Sequence, residues 1–174
     1  LTFGTLNRWA LKRIPYHIGV SQPMVELLIG RGYDPQAVFE IRNGLDFSNP
    51  SSRLTRGEYL ASLGLDWPEN AVIVGIAARL NPVKDMTTLL RGFAAACREC
   101  HRLRLIIAGD GEERGRLEAL ARELGVEKQV TFAGRISGGL DRFYSALDIN
   151  TLTSLSETFS YALTEGARFH LATI

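Results

Sequence analysis

The stretch AVIVGIAARLNPVKDMTTLL, Ala71 to Leu90, decides the fold. It reads as a buried strand over Ala71 to Ala78, a turn around Asn81 and Pro82 that carries Arg79 and Lys84, and then a helix. The alternation continues downstream. After the helix Met86 to Cys100 come LRLIIAG, a helix over Arg114 to Leu124, QVTFAG, a helix over Leu140 to Leu147, INTLTS, a helix over Phe159 to Phe169, and LATI. Short apolar strands alternating with helices predict a parallel sheet buried on both faces. Crossovers in such sheets are right-handed, and ligands bind outside the carboxyl ends of the strands. The expected class is therefore α/β, a doubly wound parallel sheet with helices on both faces.

The upstream part is less regular. LNRWALKRI suggests a short basic helix broken before Pro15, followed by a strand to Val20. SQPMVELLIGRG suggests a helix with Ser21 as its N-cap, AVFEIRNGLDF a short strand with a turn at Asn43 and Gly44, and RGEYLASLGL a further helix. Asn49 to Arg53 is polar, holds Pro50 and paired serines, and suggests a linker.

Composition narrows the function classes. The chain has 174 residues and a formal charge of +1, which speaks against a dedicated nucleic-acid binder with its basic stripe. No apolar run approaches the roughly 20 residues of a membrane span, and no secretory signal pattern is present, so a cytoplasmic setting is expected. Trp9 beside Arg8, Lys12 and Arg13 suggests packing against a further domain, with peripheral contact to the inner face of a membrane as the other reading. Cys97 and Cys100 form a Cys-x-x-Cys followed by His101, but the pair ends a helix rather than starting one and has no second ligand cluster. Reduced thiols are expected. His17, His101 and His170 stand at no spacing that suits a general base.

Two groups of residues carry the chemistry. Arg79 and Lys84 place two cations at a strand's carboxyl end, where they suit phosphate oxygens. Glu157 and Glu165, with seven residues between them, lie in SETFSYALTEGARF. If the segment from Thr158 onward is helical, the two carboxylates stand roughly 12 Å apart along its axis. That reach suits a ligand with hydroxyl groups at both ends and a diphosphate between, a nucleotide sugar, with the diphosphate near the helix N-terminus.

In their order and spacing several segments resemble the retaining glycosyltransferases of the two-Rossmann-domain (GT-B) architecture, of the broad family 4 or group 1 kind. The matching pieces are GVSQPM from Gly19, IRNGLDF from Ile41, ARLNPVKDMTTLLRGFA from Ala78, LIIAGDGEERGRLEALARELG from Leu105, VTFAGR from Val130 and SETFSYALTEGARFHLATI from Ser156. The resemblance implies a Rossmann-like, incomplete donor-binding domain over 49–174, preceded over 1–48 by the tail of an acceptor domain and an interdomain linker. It implies that Arg79 and Lys84 bind the donor diphosphate, that Glu165 holds the ribose hydroxyls and that Glu157 contacts the donor sugar. Thr158, Phe159 and Ser160 would touch sugar or phosphate through their amides, and Gly109 and Gly111 would line the cleft. It further implies a glycan or lipid-linked acceptor held by a domain outside this chain, and a role in polysaccharide or glycolipid synthesis. Thr158 stands where glycine is common and Ser160 where glycine or proline is, and Gly166, Ala167 and Arg168 replace Ala-Met-Ala; these departures bear on which sugar is taken.

No Asp-x-Asp occurs, so Arg79 and Lys84 are expected to neutralise the diphosphate without a metal ion. One rival is an NADP-binding oxidoreductase module. Gly109, Gly111 and Gly115 follow a strand and precede a helix, with Arg135 beyond the next strand, but the spacing is one residue longer than the common fingerprint. A tight turn built on glycines is the simpler reading of that segment. A fragment that binds a nucleotide sugar without catalysing transfer is the other rival.

Overall fold

The computed structural model describes residues 9–44, 55–137 and 140–174. The chain divides into two compact units, one of Leu1–Leu45 with Glu157–Phe159, the other of Asp46–Ser156 with Ser160–Ile174. The expected linker at Asn49 to Arg53 lies outside the described residues.

In the first unit, β1 (His17–Gly19) and β2 (Val38–Glu40) pair in parallel, joined through helix α1 (Gln22–Gly30). Val25, Tyr33 and Val38 form its small core. Gly19 lets α1 close onto β1, because a Cβ there would stand 2.8 Å from a Val25 methyl carbon. Ser21 occupies the N-cap position of α1 as expected, yet its side chain makes no capping bond.

The second unit begins with α2 (Arg56–Ser62) and then alternates strand and helix. Its elements are β3 (Val72–Ala77), α3 (Met86–Glu99), β4 (Leu103–Ala108), α4 (Arg114–Glu123), β5 (Val130–Gly134), α5 (Asp141–Ser145), β6 (Ile149–Asn150), α6 (Tyr161–Ala167) and β7 (Ala172–Thr173). All pairings are parallel, in the order β5-β4-β3-β6-β7. Successive strand residues point to opposite faces. Val74, Ile76, Leu105 and Ile107 therefore pack with Leu90, Phe93 and Leu117 of α3 and α4. Ile73, Ile106 and Ala108 pack on the other face with Tyr59, Leu60, Phe143 and Tyr144 of α2 and α5. The sheet is thus covered on both sides, as the unbroken apolar strands require.

At the amino ends of β3 and β6, Asp148 holds α2 to β3. Its carboxylate accepts from Arg56 at 2.9 and 3.0 Å and from the Ile73 amide at 2.7 Å. Thr55 caps α2 in a reciprocal pair with Glu58, whose carboxyl is held below its usual range by those bonds.

Several expected elements are shorter in the structure, most of all those after β5. The helix read over Leu140 to Leu147 spans Asp141–Ser145, and the strand INTLTS pairs only over Ile149–Asn150. The helix read over Phe159 to Phe169 spans Tyr161–Ala167. It starts there because Ser160 caps it, its Oγ accepting from the Leu163 amide at 3.3 Å. It stops because His170, at φ 55°, reverses the chain, with His170 N bonded to Ala167 O and Leu171 N to Gly166 O.

Candidate functional site

The strand order locates the site. From β3 the chain steps outward through β4 to β5, then returns to place β6 on the other flank of β3. The direction of winding reverses between β3 and β6, and open α/β sheets bind ligands at the strand carboxyl ends beside such a reversal. Arg79 and Lys84 follow β3, and residues 151–156 follow β6.

The two loops are tied together. Thr153 Oγ1 donates to Lys84 O at 3.0 Å, and Leu155 N donates to Val83 O at 2.9 Å. Deeper in, both the amide and the hydroxyl of Thr151 donate to Gly75 O. Lys84 closes a short 3-10 turn over Pro82–Lys84, and Asp85 follows in the left-handed region at φ 43°. That conformation is unfavourable for most side chains, although Asp tolerates it. It is held here because the Asp85 carboxylate caps α3, accepting from Thr88 N at 3.3 Å and Thr88 Oγ1 at 2.6 Å.

Arg79 lines a cleft of about 390 Å³ with Ala77, Ala108, Gly109, Arg135 and Ile136. It is exposed and makes no ion pair among the described residues. Gly109 is part of this wall, whereas Gly111 and Lys84 are not among its lining residues. The two glycines have a structural reason. A Cβ on Gly109, which sits at φ 143°, would overlap the Ala78 carbonyl oxygen, and one on Gly111 would lie 2.8 Å from the carbonyl carbon of Leu80. They let the loop after β4 bond to the loop after β3, through Leu80 N to Asp110 O at 3.0 Å and Glu113 N to Leu80 O at 3.1 Å.

Glu165 sits half-buried on α6, one of its oxygens, Oε2, accepting from Tyr144 Oη at 3.3 Å. Beside it, Asn150 is fully buried and donates to Ala162 O at 2.9 Å. Gly166 allows this approach, since a Cβ there would lie 2.8 Å from Asn150 Cγ. Its departure from the family pattern is thus a packing partner of Asn150. Neither Asn150 nor Tyr144 carries a sequence signal, because their neighbours on α6 lie 12 to 21 residues away along the chain.

Glu157, Thr158 and Phe159 count with the first unit, where Phe159 lines a separate cleft with Val20, Gln22, Pro23, Glu40 and Arg42. The separation of roughly 12 Å assumed one helix carrying both glutamates. Since α6 starts at Tyr161, that distance does not apply, and the two carboxylates belong to different units. The hydroxyl of Ser160, one of the two departures in this segment, serves the helix cap.

Among the described residues, no group of three His, Cys, Asp or Glu is placed to hold a metal ion. Cys97 and Cys100 are free, and burial pushes the Cys97 thiol up, the opposite of what a reactive thiolate needs. No helix among the described residues is long and apolar enough to cross a membrane.

Comparison with known proteins agrees with this architecture. The family described as glycosyl transferases group 1 matches residues 64–174. A D-inositol 3-phosphate glycosyltransferase of Stackebrandtia nassauensis is 33% identical over 146 residues, covering 76% of this chain and 31% of that protein. The crystal structure of Anabaena Alr3699/HepE in complex with UDP and glucose superposes with a TM-score of 0.82 at 23% identity, over 98% of this chain and 48% of that one. WaaG, a glycosyltransferase involved in lipopolysaccharide biosynthesis, gives 0.78 at 17% identity over 99% and 49%. At these identities the structural likenesses speak for the fold alone. The chain spans about a third of the Stackebrandtia protein and about half of HepE.

Proposed function

The chain belongs to the group 1 glycosyl transferases, and from that premise we propose that it forms the donor-binding side of an enzyme that transfers a sugar from a nucleoside diphosphate sugar, with retention, to a glycan or lipid-linked acceptor. The observation that carries this reading is the reversal of winding between β3 and β6, with Arg79 and Lys84 in the loop after β3. The complex of HepE with UDP and glucose supports it by fold.

In this reading Arg79 and Lys84 meet the diphosphate and stabilise the charge that grows on it as the sugar departs. Cations fixed in a water-poor cleft contribute several kcal/mol, roughly, to such a transition state. Glu165 accepts the ribose hydroxyls, and Glu157, with the amides of Thr158, Phe159 and Ser160, meets the sugar. The two cations stand in for a metal ion. The setting is cytoplasmic, in polysaccharide or glycolipid synthesis, with the acceptor held outside this chain.

Calorimetric titration of the complete gene product with UDP, GDP and ADP, with and without EDTA, tests this reading. Binding of one diphosphate, unchanged by EDTA and lost in both Lys84→Ala and Glu165→Ala, is the expected result. Undiminished affinity in Lys84→Ala removes the phosphate assignment, and NADP binding in place of a diphosphate refutes the whole reading.

A further inference from the structure

Behind Glu165 lies a buried polar group that the proposed reaction does not use. Tyr144 is 1% exposed on α5, its ring packed between Phe143 and Phe169 with centroids 5.0 and 5.8 Å away. Its hydroxyl has one proton and two acceptors in reach, Ala162 O at 3.2 Å and Glu165 Oε2 at 3.3 Å. The Ala162 carbonyl is already served by Asn150 Nδ2 at 2.9 Å. A carboxylate is also the stronger acceptor, because a bond to a charged group is roughly twice as strong as one between neutral groups. The proton therefore belongs to Glu165. Burial first, and then the charge of Glu165, push the phenol far above its usual range, so it remains a donor at any working pH.

We propose that Tyr144 is a positioning residue for Glu165: its hydroxyl fixes Oε2, while Asn150 fixes the first turn of α6, so that the carboxylate presents its remaining lone pairs to a vicinal diol at one set angle. The inference rests on the reading of Glu165 as the ribose-binding group. The geometry favours a positioning role over simple core filling. A phenylalanine would pack equally well between the two neighbouring rings, and the hydroxyl would otherwise be a buried polar group beside a carbonyl that already has a donor.

The test is Tyr144→Phe in the complete gene product, titrated with UDP and with 2′,3′-dideoxy-UDP, alongside Glu165→Gln and the double variant. Because Tyr144 touches Glu165 and not the ligand, only part of the value of its bond reaches the ligand, and UDP binding is expected to weaken about 3- to 10-fold, with the dideoxy ligand bound within about twofold of the unsubstituted protein. The double variant should bind UDP no more weakly than Glu165→Gln alone. Equal loss of both ligands makes Tyr144 a general structural residue and overturns the proposal. So does unchanged UDP affinity in Tyr144→Phe when Glu165→Gln has lost it. If Glu165→Gln itself binds UDP normally, the ribose reading fails first and takes this proposal with it. Both ligands are measured on one sample, so partial unfolding lowers both alike and cannot imitate the expected split.

Discussion

Replacing Gly166 by alanine should change stability in opposite directions depending on the residue at position 150. Within a helix, Gly→Ala gains up to about 1 kcal/mol, because alanine has less backbone freedom to lose. At Gly166 the new Cβ would fall 2.8 Å from Asn150 Cγ and 3.1 Å from its Cβ. Overpacking of this kind costs about 1–3 kcal/mol. The single variant is therefore expected to be neutral to about 2 kcal/mol less stable. Asn150→Ala removes the atoms that collide. By itself it loses the bond to Ala162 O, about 1 kcal/mol, and the packing of a fully buried side chain, offset in part by removal of Oδ1, which is buried with no hydrogen-bond partner among the described residues. In that background Gly166→Ala should stabilise. Urea unfolding of the four proteins measures the coupling, expected at about 1–3 kcal/mol with m unchanged. Free energies additive to within about 0.5 kcal/mol would refute the claim that Gly166 is required by Asn150.

Three further outcomes follow from the backbone and the core. His170→Gly should raise stability by about 0.5–1 kcal/mol, since His170 is exposed at φ 55°, whereas His170→Val should lower it; equal melting temperatures would remove the strain argument. Gly109→Ala should destabilise by more than about 2 kcal/mol in urea unfolding, because its Cβ meets the Ala78 carbonyl in a conformation alanine avoids; a variant within about 0.5 kcal/mol of the parent would contradict this. Burial raises the Tyr59 phenol to about 12, so the folded state keeps a proton that the unfolded chain loses near pH 10. The stability from Tyr59 is thus whole below about pH 10 and falls as pH rises toward 12, a slope that Tyr59→Phe should reduce in pH-dependent unfolding.

Much of the second unit was legible because its strands are apolar along their whole length and its turns are marked. Ala71 to Ala78 and LRLIIAG could only be buried strands, and the structure places them side by side over six residue pairs. Arg79 and Lys84 were legible as cations at a strand end for the same reason. What the sequence withheld was order and contact. Nothing in INTLTS says that it lies beside β3 rather than beyond β5, yet that placement creates the reversal of winding. The start of α6 is not legible because Ser156, Thr158 and Ser160 are all N-cap residue types, and only the fold shows that Ser160 Oγ is the one that accepts from Leu163 N. Tyr144 and Asn150 were missed because each is meaningful only against a residue brought near by the fold.

The bonds from Thr153 to Lys84 and from Leu155 to Val83 also govern how this protein can be re-engineered. Exchange of residues 79–85 alone with those of a relative would set a foreign turn against the original 151–155 segment and leave two acceptors with donors at the wrong height. The two segments form one discontinuous unit. Both segments must be exchanged together, with Gly75, whose carbonyl receives Thr151, left in the recipient as the common hinge pin.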